Sequence, residues 1–236
     1  MTVAPRYAIY LAPEVDTPLW ALGSALIGYD AASGREVEFP LPLASNPVRW
    51  RALTEEPRRY GFHMTLKAPF RLAEGMTRCQ LENELEVFAR SRATFDVGRL
   101  VLECRLNGEG NGFVCLIPQR HNPDLSALEE AVVRAFDPFR APLSRSERER
   151  RKPQQLSDQQ RDYLDRFGYP YVLEEFRPHF SLTGAHSNPG GSADRISMIV
   201  ANTIGTADFV CRSLFLFEQP SPEQPFVLRR VFSFGR

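Results

Sequence analysis

The sequence predicts an α+β protein of two similar lobes, with two mixed sheets flanking a central cleft and helices outside. Three observations predict it. Stretches of alternating polarity, read as strands, are separated by stretches with helical periodicity. The order strand, helix, histidine-bearing strand, helix, strand over residues 6–106 recurs over residues 112–217. Helical crossovers between strands are what parallel neighbours in a sheet require. The expected halves are about 1–110 and about 111–236 of one domain, with a charged insertion near 141–168.

Taken in order, Arg6 to Pro13 reads as the first strand. Thr17 followed by Pro18 is a helix start, an N-cap with proline at the first helical position, and that helix runs to about Leu26. Residues 28–57 are rich in Gly and Pro and weakly periodic, which predicts a long loop with a small turn or short strands. A strand follows over Tyr60–Phe70, with Phe62, Met64 and Leu66 on one face and His63, Thr65 and Lys67 on the other. Thr77 caps an amphipathic helix bearing Leu81, Leu85 and Phe88.

Phe95–Leu106 and Phe113–Ile117 read as strands joined by a turn at 108–112. Pro123 and Asp124 open a helix to Phe136, which Pro138 and Pro142 stop. Ser144–Arg166 is charged and helical in pattern, a solvated face or a basic flap over an anion. The second histidine strand, Phe176–Gly184, sets Phe180 and Leu182 against Arg177, His179, Ser181 and Thr183. A helix over about 193–204 and strands over 209–217 and 226–234 finish the chain.

The two histidine strands carry the chemistry. A lone histidine on a strand is an ordinary surface or core residue, but the chain has only four histidines. Two of them, His63 and His179, share the pattern His-x-(Ser/Thr)-Leu, each with a cation on its face. A pseudo-two-fold relation between lobes would set them opposite each other across a cleft. Imidazole titrates near neutrality, so a pair can divide general base from general acid. Thr65 and Ser181 are suited to bind phosphate oxygens, and Lys67 and Arg177 to stabilise a pentacoordinate dianion. Tyr10, Tyr60, Tyr171 and Thr183 are possible cleft residues. The pattern calls for no metal and no cofactor.

Other chemistries fit less well. The chain has no G-x-S-x-G elbow, P-loop or dinucleotide fingerprint. Same-face residues two apart on a strand stand roughly 6.5 Å apart, too far for His179 to activate Ser181. Cys79, Cys104, Cys115 and Cys211 show no zinc spacing and read as buried thiols in a reducing compartment. Lys plus Arg and Asp plus Glu balance at 29 each, which gives no sign of bulk nucleic-acid affinity. With no signal-like N-terminus and no membrane-length apolar window, a cytoplasmic monomer is expected.

The motifs His63-Met-Thr-Leu66 and His179-Phe-Ser-Leu182 resemble the signature of the two-histidine (2H) phosphoesterase superfamily. Tyr60–Phe70, Phe167–Tyr171 and Glu174–His179 are similar to a bacterial branch of it found with phosphonate-degradation genes. The resemblance covers most of the chain. It implies a duplicated two-lobed 2H fold and metal-independent hydrolysis of a small cyclic phosphate of a sugar or nucleotide, a phosphodiesterase activity in phosphonate metabolism. Alternatives are an RNA 2′,3′-cyclic phosphodiesterase, a 2′–5′ RNA ligase-like enzyme, or a non-catalytic binder of a phosphorylated metabolite.

Overall fold

The computed structural model describes residues 4–106, 110–203 and 207–235. Strand β1 (Arg6–Leu11) leads to helix α1 (Pro18–Ile27), whose Thr17 side chain accepts from the Trp20 amide. The segment read as a long loop with a small turn or short strands has the short strands and, beyond the expectation, two short helices. It holds a small hairpin, β2 (Tyr29–Asp30) and β3 (Arg35–Glu36), then a 3-10 turn at Leu43–Ser45. Two short helices follow, α2 (Pro47–Leu53) and α3 (Glu55–Tyr60). Their signals are local: Asn46 caps α2 ahead of Pro47, and Thr54 ends α2 and begins α3.

The chain continues through β4 (Met64–Phe70), α4 (Arg78–Arg90), β5 (Phe95–Leu106), β6 (Gly112–Pro118) and α5 (Pro123–Phe136). Thr77 and Gln80 form a reciprocal capping box on α4. The turn expected at 108–112 falls in part on residues 107–109, outside the described residues. The charged insertion divides into α6 (Arg145–Arg150) and α7 (Asp158–Phe167). After them come β7 (Phe180–Ser181), α8 (Pro189–Thr203), β8 (Ala207–Cys211), β9 (Ser213–Gln219) and β10 (Val227–Ser233).

The expectation of two mixed sheets is corrected. One eight-stranded sheet runs in the order β10-β9-β1-β4-β7-β6-β5-β8, and its neighbours are antiparallel throughout. The crossover argument applies to sheet neighbours joined by a single helix. Here the single-helix connections through α4 and α8 join β4 to β5 and β7 to β8, which are not neighbours. The adjacent pairs β1/β4 and β6/β7 are joined instead by three helices each.

Ala8 to Leu11 are fully buried, so β1 is covered on both faces. Gly23 in α1 leaves room for Phe62, because a Cβ there would lie 2.2 Å from the Phe62 ring. All four cysteines are free thiols. Cys115 and Cys211 are buried as expected, whereas Cys79, on the outer face of α4, is exposed. No helix among the described residues is long and apolar enough to cross a membrane.

Candidate functional site

The site forms at the centre of the sheet, where β4 and β7 meet. Met64 pairs with Phe180, so the residues just before these partners, His63 and His179, come to adjacent antiparallel strands. Both strands are shorter than the alternation suggested, and each histidine sits immediately before its strand. His63, Thr65, His179, Ser181 and Thr183 line one cavity of about 270 Å³ together with Tyr10 and Tyr60.

Each imidazole is held through Nδ1 by the carbonyl two residues earlier. His63 Nδ1 is 2.9 Å from the Gly61 carbonyl, and His179 Nδ1 is 2.7 Å from that of Arg177. A carbonyl only accepts, so His63 Nδ1 carries the proton. At His179 the carbonyl, 2.7 Å from Nδ1, is nearer than the donor-only Arg105 guanidinium at 3.3 Å and favours the same tautomer, which leaves both Nε2 atoms as bases. His63 Nε2 then accepts from the Thr65 hydroxyl at 3.1 Å. The spacing of roughly 6.5 Å between same-face residues is a main-chain distance; here the His63 and Thr65 side chains lean together until their tips touch.

The surroundings hold the imidazoles neutral. His63 lies against Tyr10, with ring centroids 3.6 Å apart, and burial pushes its pKa down to about 4 against the pull of the Gly61 carbonyl. Charge on His179 lowers it further. His179 lies 5.6 Å from the Phe113 ring and is also lowered by burial, against its bond to the Arg177 carbonyl. The Arg105 guanidinium, 3.3 Å from His179 Nδ1, adds to the lowering.

Two expected cations are elsewhere. Leu11 and Tyr10 pair with Met64 and Thr65, but Ile9 pairs with Lys67, leaving Leu66 as an extra residue on β4. This bulge inverts the alternation and turns Lys67 to the opposite face of the sheet. There its side chain, 3% exposed, bonds through the ammonium to the Val133 carbonyl on α5 at 3.2 Å and to Asp137, just past the end of α5, at 3.1 Å. Burial lowers Lys67 to about 8. The Arg177 side chain is exposed, lies over the Tyr171 ring at 5.0 Å and faces Glu175, so only its carbonyl reaches the site. Tyr171 packs edge-on to Tyr169, 5.7 Å away, and it is Tyr169 that lines the cavity. The Thr183 hydroxyl is occupied, accepting from the Val114 amide at 2.9 Å.

The sequence reading missed Arg6, Glu56, Phe113 and Tyr169, which line the cavity together with Arg151. Arg6 had a signal, since it shares the alternating face of β1 with Tyr10. Arg151 belongs to the Ser144–Arg166 segment read as a solvated face or a basic flap, with no local mark to separate it from its neighbours.

Comparison with known proteins agrees with part of this picture. A family described as protein of unknown function (DUF1045) matches residues 65–227. The chain belongs to that family. It is similar to two proteins named ribose 1,5-bisphosphate phosphokinase PhnN. That of Laribacter hongkongensis (strain HLHK9) is 36% identical over 178 residues, 75% of this chain and 40% of the relative. That of Janthinobacterium sp. (strain Marseille) is 32% identical over 229 residues, 94% of this chain and 49% of the relative. The chain thus spans less than half the length of these relatives. Their names correct the expectation of a cyclic-phosphate hydrolase with its RNA-directed alternatives, because a phosphokinase transfers a phosphoryl group.

Proposed function

We propose that the cavity between β4 and β7 binds a phosphorylated pentose and carries out acid–base chemistry at its phosphate, as part of an enzyme of phosphonate metabolism. The observation that carries this reading is the matched tautomer of the two histidines. Two imidazoles fixed through Nδ1, with Thr65 and Ser181 hydroxyls beside them, are the equipment for moving protons on and off phosphate-bearing oxygens. His63, the more enclosed, is the base that takes a proton from an attacking oxygen. His179 is the acid that returns one to the departing oxygen. The paired His-x-(Thr/Ser)-Leu motifs support placing the family within the 2H superfamily. The relatives' names support a ribose phosphate as substrate class. This chain has no P-loop, so the proposal concerns the phosphosugar and not a nucleotide.

The test is ³¹P NMR of phosphorylated riboses with wild type, His63→Ala and His179→Ala, each with and without ATP. Conversion by wild type should fall by at least about 10²-fold in each variant. No conversion in either condition, or conversion indifferent to both histidines, would sink the reading.

A further inference from the structure

The same cavity holds groups that the paired histidines do not use. The Tyr10 hydroxyl is fully buried and has no hydrogen-bond partner among the described residues, although a buried hydroxyl normally finds one. The charged and phenolic groups acting on it are Tyr60, Arg6, Tyr169 and Arg151, and all four line the cavity. Neither arginine has a carboxylate partner among the described residues. Arg6 bonds to the neutral amide oxygen of Gln219 at 2.8 Å and lies 5.5 Å from the Phe226 ring. Arg151 lies over the Tyr169 ring at 5.1 Å. Arg59 and Arg150 are also near enough to Arg6 to lower its pKa. Glu56 is the acidic residue of this wall.

Guanidinium groups without a carboxylate partner, lining one cavity with an orphaned buried hydroxyl, cost free energy unless an anion completes them. We infer that Tyr10, Arg6 and Arg151 form a second anion subsite, so that the ligand is a sugar carrying two phosphate groups. One phosphate lies at His63 and His179; the other accepts from the Tyr10 hydroxyl and the two guanidinium groups. Arg151 stands one residue past the end of α6, which gives the charged insertion a role in selecting the ligand. This inference rests on the phosphosugar reading above and adds the second charge.

Calorimetric titration with ribose 5-phosphate and ribose 1,5-bisphosphate tests it. Wild type should bind the bisphosphate at least about tenfold more tightly, as one charge-assisted site warrants. Arg151→Gln should erase that preference while leaving the monophosphate affinity within about twofold, and Tyr10→Phe should narrow the preference. Tyr10→Phe keeps the ring that packs on His63, and Arg151→Gln lies outside the core, so neither result depends on one fragile variant. Equal binding of the two ligands by wild type, or equal weakening of both by Arg151→Gln, would overturn the second subsite alone. Binding of neither ligand, or affinities unmoved by His179→Ala, would overturn the phosphosugar reading and this inference with it.

Discussion

The two histidine motifs reach the same endpoint by different routes. Before His63 the chain leaves α3 through Gly61, at φ +83°, a conformation glycine adopts without a Cβ penalty. Before His179 it turns at Leu173, a branched residue held at φ +56°. Its amide donates to Glu129 Oε2 at 3.0 Å. In both places the carbonyl two residues ahead of the histidine is then aimed at Nδ1. What the two approaches share is the tautomer; the backbone device that delivers it is free to differ. Their surroundings differ too, with His63 enclosed against Tyr10 and His179 beside Phe113 and Arg105.

The difference in enclosure bears on the largest expected effect, the pH dependence of conversion. The base must be neutral, which His63 is above about pH 4. The acid must be protonated, which His179 is only below a value already lowered from 6.5. The profile of kcat/KM, which reports the free enzyme, should therefore be bell-shaped with its maximum on the acid side of neutrality. His179→Ala should cost at least about 10²-fold at the maximum and remove the alkaline limb, leaving the acid limb in place. A maximum well above pH 7 would break the assignment of base and acid.

The approaches themselves can be broken separately. Gly61→Ala puts a methyl into a left-handed position, where its Cβ would lie 2.8 Å from Ala31 Cβ and 3.2 Å from the Phe217 ring. Strain of this kind is worth about 1–3 kcal/mol, so thermal unfolding should fall by several degrees and His63 should lose its orientation. Arg177→Ala keeps the carbonyl that His179 uses and removes only an exposed side chain. It should leave stability within about 0.5 kcal/mol. Equal effects from the two substitutions would show that orientation through these carbonyls is not what matters.

Much of this was legible in the chain, and the limits were physical. The helix starts at Thr17, Thr77 and Pro123 rest on capping, which is local and so readable. The histidine pair stood out because its spacing repeats. Sheet direction was misread, since it depends on which distant strands become neighbours, a property of no single stretch. Lys67 was misplaced by one extra residue, Leu66, whose bulge exists only in the pairing with β1. Arg151 and Tyr169 come to Tyr10 only through the tertiary fold.

Glu129 gives the finest test of the His179 approach. It is 1% exposed on α5, and burial raises its carboxyl to about 8, against the bond from the Leu173 amide. A folded-state value above the unfolded one means that the folded protein holds the extra proton between about 4.5 and 8. Stability from this group is then fully present below pH 4.5 and is lost as pH rises towards 8. Glu129→Gln keeps an acceptor for Leu173 and removes the ionisation. Its unfolding free energy should match wild type below about pH 4.5 and exceed it at pH 9, by up to about 5 kcal/mol. The nearby Lys67 ammonium, itself lowered to about 8, reduces that gain if the two groups ionise together. Glu129→Gln in a Lys67→Met background separates the two terms. A gain at pH 9 that survives in that background assigns the alkaline loss to the carboxyl beneath Leu173. A gain that disappears would assign it to the ion pair and leave the strained turn to be held by packing alone.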